Sequence, residues 1–172
     1  MTETISYEVT GKAGDVELRK YPALVLATVE SGRDDSGFNL LFAYITGKNS
    51  ANNTLPMTSP VITSAKIPMT APVVSDANTM SFVMPAGKTR AEIPEPLDSR
   101  VSIVSVPERE VAVLKFKGKT HEEEVEKEEG LLRKALKDAG IEPVGEAFLM
   151  RYNPPWTPGF LRRNEVGVEI KR

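Results

Sequence analysis

The sequence predicts an α+β fold: a curved or barrel-like, mostly antiparallel sheet built from two related β-β-α-β-β halves, with two main helices outside. Three observations predict it. Period-two apolar segments dominate both ends of the chain, each half contains one helical stretch, and the order of segments in residues 5–87 recurs in residues 100–171. A half with one helix and about four strands is too small to bury its own core, so the two must share their sheets. Residues Lys88 to Ser99 separate the copies.

Taken in order, Tyr7-Glu8-Val9 and Val16 to Tyr21 read as strands joined through Gly11-Lys12-Ala13-Gly14, with Val16 and Leu18 alternating against Glu17 and Arg19. Pro22 interrupts, and Ala23 to Val29 forms a strongly apolar strand. Asp34-Asp35-Ser36 offers helix caps. The helix that follows places Phe38, Leu41, Phe42 and Ile45 at i, i+3, i+4 and i+7, one apolar stripe, and Gly47 ends it. Two related phrases come next, Pro56-Met57-Thr58-Ser59-Pro60-Val61 and Pro68-Met69-Thr70-Ala71-Pro72-Val73, whose prolines set a strand edge. A strand from Thr79 to Met84 closes the half. In the second half, Val101 to Pro107 echoes Val16 to Pro22, and Val111 to Phe116 echoes the strand at Leu24. Thr120 and Glu123 fit a capping box opening a helix that runs to about Ala139, with Gly140 as its stop. Strands Glu146 to Tyr152 and Glu165 to Ile170 finish the chain.

The chain has 172 residues, 40% apolar and 27% charged, with a net charge of -2 and no cysteine. Disulfides, thiolate metal sites and a cysteine nucleophile are excluded. The charge balance gives no general attraction to nucleic acid or anionic lipid. No basic, apolar leader and no run approaching the ~20 residues of a membrane span is present, so a cytoplasmic protein is the expectation.

The most specific string joins the last two strands: Gly145 to Val166, in which Pro154, Pro155 and Pro158 stiffen a loop that holds the single Trp156. With the opening Tyr7 to Pro22 (YxVxxxxGDxELRxYP), the phrase Met69-Thr70-Ala71-Pro72-Val73 and the closing Arg162-Arg163-Asn164-Glu165-Val166, it closely resembles the SOUL/haem-binding protein family, from Tyr7 to Ile170. The resemblance implies one domain over 1–172 with a distorted β-barrel of pseudo-two-fold repeats. It further implies a non-enzymatic haem- or tetrapyrrole-binding carrier or buffer with a hydrophobic surface groove. Carried over by position, that groove is lined by Phe38, Phe42, Ile45 and Trp156, with Phe160 beside them. Haem would bind non-covalently through stacking and dispersion, without a His ligand. Basic residues for the propionates are expected where this chain has Asp35, Ala43 and Thr157; nearby cations are Lys48, Arg162 and Arg163.

Each candidate also has a plainer reading. The stripe of Phe38, Leu41, Phe42 and Ile45 equally suits core packing, and Trp156 equally suits a plug. His121, the only histidine, falls at the start of a helix beside Glu122, Glu123 and Glu124 and reads as an exposed terminal residue. The glutamates from 122 to 129 read as a solvated helix face, and Met57 and Met69 as core fillers. One histidine and no cysteine exclude a catalytic triad and a zinc site. The alternative function is a small-molecule effector-binding module of GyrI-like type for amphipathic or cationic ligands. A buried central carboxylate would favour it, with Glu17, Glu146 and Glu169 as candidates.

Overall fold

The computed structural model describes residues 3–30, 35–64, 79–153 and 157–171. In chain order the strands are β1 (Glu3–Thr4), β2 (Glu8–Ala13), β3 (Val16–Tyr21) and β4 (Leu24–Glu30), followed by helix α1 (Asp35–Ile45), β5 (Thr58–Ser64) and β6 (Thr79–Val83). The second half contributes β7 (Val101–Val106), β8 (Arg109–Lys117), helix α2 (Glu122–Asp138), β9 (Glu142–Arg151) and β10 (Arg163–Lys171). The chain divides into two compact units, one of Met1–Ile5 with Ala23–Pro107, the other of Ser6–Pro22 with Glu108–Arg172. The phrase from Pro68 to Val73, the cap at Asp34 and Trp156 lie outside the described residues.

In the first unit the strands run β5-β6-β4-β7, all antiparallel, and β1 adds to β5 in parallel. β4 carries the core: Val25, Ala27 and Val29 pack with Met80 and Phe82 of β6 and with Leu41, Tyr44 and Ile45 of α1. The buried stripe of α1 differs from the expected one by a residue. Leu41, Tyr44 and Ile45 are buried, whereas Phe42 is 47% exposed. Tyr44 serves as a core residue because its hydroxyl donates to Pro94 O at 2.6 Å, which satisfies the one polar atom it carries inward. At the end of α1, Gly47 adopts φ 138°. The buried Asn49 then donates to the carbonyls of Tyr44 and Asn53, at 2.8 Å each, and accepts from the amides of Ala51 and Asn53.

In the second unit the order is β2-β3-β8-β10-β9, again antiparallel throughout. α2 covers one face. Its Leu132 and Leu136, both fully buried, meet Leu18, Ala112, Leu114, Val166, Val168 and Ile170, and each contributes about 1.5–3 kcal/mol. Glu122, Glu123 and Glu124 occupy its first turn and Lys137 its last, in the sense the helix dipole favours. The expected capping box at Thr120 and Glu123 does not form. The N-cap is His121, with no side-chain cap, so Glu123 falls at the second helical position, where it cannot reciprocate with Thr120. At the short turn Arg90–Glu92, the amide and the hydroxyl of Thr89 both donate to Glu92 Oε1.

The element order runs β3-β4-α1-β5-β6 and then β7-β8-α2-β9-β10. The pairing adds what the order alone did not disclose. Matching elements give the same strand order in both units, β7-β4-β6-β5 and β3-β8-β10-β9, and in each the first strand comes from the other half of the sequence. Neither unit's strand order closes on itself, so neither displays a barrel.

Candidate functional site

Three of the specific sequence phrases converge on one buried cluster in the second unit. Arg19 of β3, from the opening phrase, is fully buried, and so is Glu165 of β10, from the closing one. They meet fork to fork: Nη1 donates to Oε1 at 2.9 Å and Nη2 to Oε2 at 2.7 Å. The remaining guanidinium hydrogens are also used. Nε and Nη2 reach Glu17 Oε1 at 3.1 and 2.6 Å, and Nη1 reaches the Tyr21 hydroxyl at 2.8 Å. Tyr7 stacks on the guanidinium, 4.0 Å from its ring centre. Tyr152, the last residue before the proline-rich loop, donates its hydroxyl to Glu165 Oε1.

Burial pushes the Glu165 carboxyl upward, but the hydrogen bonds of Arg19 and Tyr152 and the Arg19 charge more than offset it, leaving the pKa below the usual 4.5. Burial pulls the Arg19 pKa down, and its carboxylate partners more than restore it. Tyr21 is pushed up to about 12 by burial, only partly opposed by Arg19. The cluster is therefore an ionised pair with every donor placed. It has no acid, base or nucleophile in reserve.

The same phrases hold the base of the loop. The Tyr152 amide donates to Arg163 O at 3.3 Å, the Arg163 guanidinium lies 4.4 Å above the Tyr152 ring, and Asn164 Nδ2 donates to Gly118 O at 2.8 Å. Arg162 Nε reaches back to Thr157 O at 2.8 Å. Sequence reasoning singled out these phrases for the loop they flank and missed Glu165 as the buried carboxylate. The three carboxylates it named are placed elsewhere: the Glu17 side chain is 18% exposed and paired with Arg19, that of Glu169 is 36% exposed, and Glu146 is exposed. The pattern along β10 does not mark Glu165 as buried. This residue shares the strand parity of Gly167 and Glu169, opposite the apolar Val166, Val168 and Ile170.

The expected groove residues are distributed over both units. In the first, Phe38 is half-buried, stacked on Phe42 with ring centres 6.0 Å apart and edge-on to Phe82 at 5.3 Å. Ile45 is 3% exposed and faces the core. In the second, Phe160 stands 78% exposed on a short turn, Gly159–Leu161. Trp156 lies outside the described residues. His121 is exposed at its helix start, as expected. No group of three or more metal-ligating side chains occurs among the described residues.

A pocket of about 440 Å³ opens on the first unit, floored by Leu40, Ala43 and Tyr44 of α1 and by Val101 of β7. Glu30, Lys48, Asp98 and Arg100 stand around it. Phe38, Phe42 and Ile45 do not line it. At 100° per residue, Leu40 and Tyr44 fall on one flank of α1 and Phe38 and Phe42 on the other.

The sequence profile of the SOUL heme-binding protein family matches residues 2–169, and the chain belongs to that family. No curated protein matches it in sequence. Among solved structures, the C-terminal domain of EcmrR is similar over 96% of this chain and 98% of that one, with a TM-score of 0.63 at 11% identity. A hydrolase from Listeria innocua is similar over 91% of this chain and 92% of its own, with a TM-score of 0.60 at 11% identity. At such identities the likeness is one of fold. No helix among the described residues is long and apolar enough to cross a membrane.

Proposed function

We propose that this protein is a non-enzymatic carrier or buffer that binds haem or a related tetrapyrrole through an aromatic surface. The observation that carries the reading is the stacked Phe38–Phe42 pair on α1, with Phe42 47% exposed, in a chain that belongs to the SOUL family. A macrocycle is flat and apolar over most of its area, and an exposed ring offers it dispersion and offset stacking. The residues present fit the macrocycle better than its iron. His121 is the only imidazole and sits at an exposed helix start, and Met57 packs against the core of the first unit. Binding by contact with the ring, without an imidazole ligand, follows from that placement. The distorted barrel and the cytoplasmic setting belong to the same proposal.

For the effector-module alternative, a free buried carboxylate would be a favouring feature; Glu165 is buried but paired with Arg19, so it does not supply one.

Titration with hemin tests the proposal. A saturable shift of the Soret band is expected. Phe42→Ala should weaken binding several-fold, for about 1 kcal/mol of lost stacking, and His121→Ala should leave it unchanged. Trp156→Ala and Phe160→Ala test the two residues the resemblance adds. Absence of any saturable shift removes the reading.

A further inference from the structure

We propose that the pocket on the Leu40–Tyr44 flank of α1 is a second binding site, separate from the aromatic face, for a small amphipathic zwitterion such as an apolar amino acid or dipeptide with free termini. The floor is apolar: Leu40, Ala43, the Tyr44 ring and Val101. The pocket's volume of about 440 Å³ falls within the range of small-molecule sites. Four charged groups surround this floor, Glu30, Lys48, Asp98 and Arg100, and their formal charges cancel.

Those charges are not equally engaged. Asp98 and Arg100 form a two-point pair, with Nε to Oδ1 at 3.0 Å and Nη2 to Oδ2 at 2.7 Å, and the Arg100 amide also donates to Oδ1 at 2.9 Å. Held this way, Asp98 is pulled down to about pH 2 by the Arg100 side chain and amide. It remains ionised, its charge offset by its neighbour. Arg100 has used two of its five side-chain N–H donors and keeps three. Lys48 and Glu30 form no ion pair among the described residues. Lys48 is held in place by its backbone, its amide bonded to Ala43 O at 3.0 Å and its carbonyl accepting from Leu97 N at 3.4 Å.

Among the described residues the pocket thus offers Lys48, whose charge acts on Asp98 without forming a contact pair with it, spare Arg100 guanidinium donors, the Glu30 carboxylate, and an apolar floor. A carboxylate is recognised by Lys48 and Arg100, an ammonium by Glu30, and an aliphatic side chain by Leu40 and Val101. A ligand with two anionic groups is disfavoured, because no net positive charge is available to hold both. Ala43 keeps the floor open, since a longer side chain there would fill it.

Amide chemical-shift titration of the full chain with leucyl-leucine tests this. Saturable shifts are expected at Leu40, Lys48 and Val101, and none with the uncharged N-acetyl-leucine amide. Lys48→Glu, at an exposed position, should weaken the dipeptide about 10-fold, for one lost charge-assisted hydrogen bond. Ala43→Phe should abolish binding while the spectrum stays dispersed. Any of three results overturns the proposal: no saturable shift up to about 10 mM dipeptide, equal binding by Lys48→Glu, or equal binding of the uncharged analogue. Because Ala43 and Lys48 also stand by the expected propionate positions, the hemin titration is repeated on Lys48→Glu: unchanged hemin affinity is expected, and its loss overturns a separate site.

Discussion

Arg19 shows how one residue can tie three distant parts of a chain together. Its five donors end on Glu17, Tyr21 and Glu165, and Tyr152 joins through the last of these. Removing one member of such a pair leaves the other charged and buried. Glu165→Gln and Arg19→Met should therefore each cost about 3–5 kcal/mol in urea unfolding, whereas Arg19→Met with Glu165→Leu should lose less than the two added together. The Glu165 pKa is lowered in the folded state, so its contribution is present above the unfolded value of about 4.5 and is lost as pH falls through the folded value. The urea midpoint should drop as pH falls below the unfolded value of about 4.5, and Glu165→Gln should flatten that slope. Little of this was legible beforehand. The phrases containing these residues were recognisable, but a charged residue on a strand reads as solvent-facing until its partner across the sheet is known.

At the level of elements, most boundaries were readable because alternation and helical spacing are strong in this chain. The strand at Val16, the strand after Pro22 and both helices appear where expected. Side choice within α1 was harder. Phe42 and Tyr44 are both aromatic and two positions apart, and only the acceptor at Pro94 O decides which one turns inward. Phe42→Ser should shift stability by no more than about 0.5 kcal/mol, whereas Leu41→Ala should cost about 2–5 kcal/mol. Of the expected groove residues on this helix, Phe38 and Phe42 share a flank while Ile45 is spent on the core. Strand β10 has a similarly tight point. A Cβ on Gly167 would come within 3.0 Å of Phe148 Cε2 and 3.2 Å of Met150 Cε, where the register of β10 against β9 shifts. Gly167→Val should destabilise by about 1–3 kcal/mol through overpacking, measurable as a lower melting temperature.

Across the whole molecule, the order of segments was legible in the sequence because prolines and helices recur at matching offsets, but the partners of β3 and β7 were not. Nothing in a strand's own residues states which strand it will pair with. β7 completes the sheet of the first unit against β4, and β3 joins that of the second against β8. A backbone cut at the turn after Pro85, where Gly87 has φ 77°, should therefore leave two fragments that stay together on a sizing column. Neither fragment produced alone should give a cooperative unfolding transition.

The same exchange sets a timetable for synthesis. The hairpin of β2 and β3 is made long before its partner edge, β8, where Tyr21 lies opposite Arg109. Until β8 and β10 have been made, Leu18 lacks its apolar neighbours and Arg19 lacks Glu165 of β10, leaving Glu17 as its partner. Newly made chains would spend that interval with an unpaired strand edge. This period is when a chaperone is most needed, and the distant pairing predicts refolding slower than the high content of local hairpins would suggest.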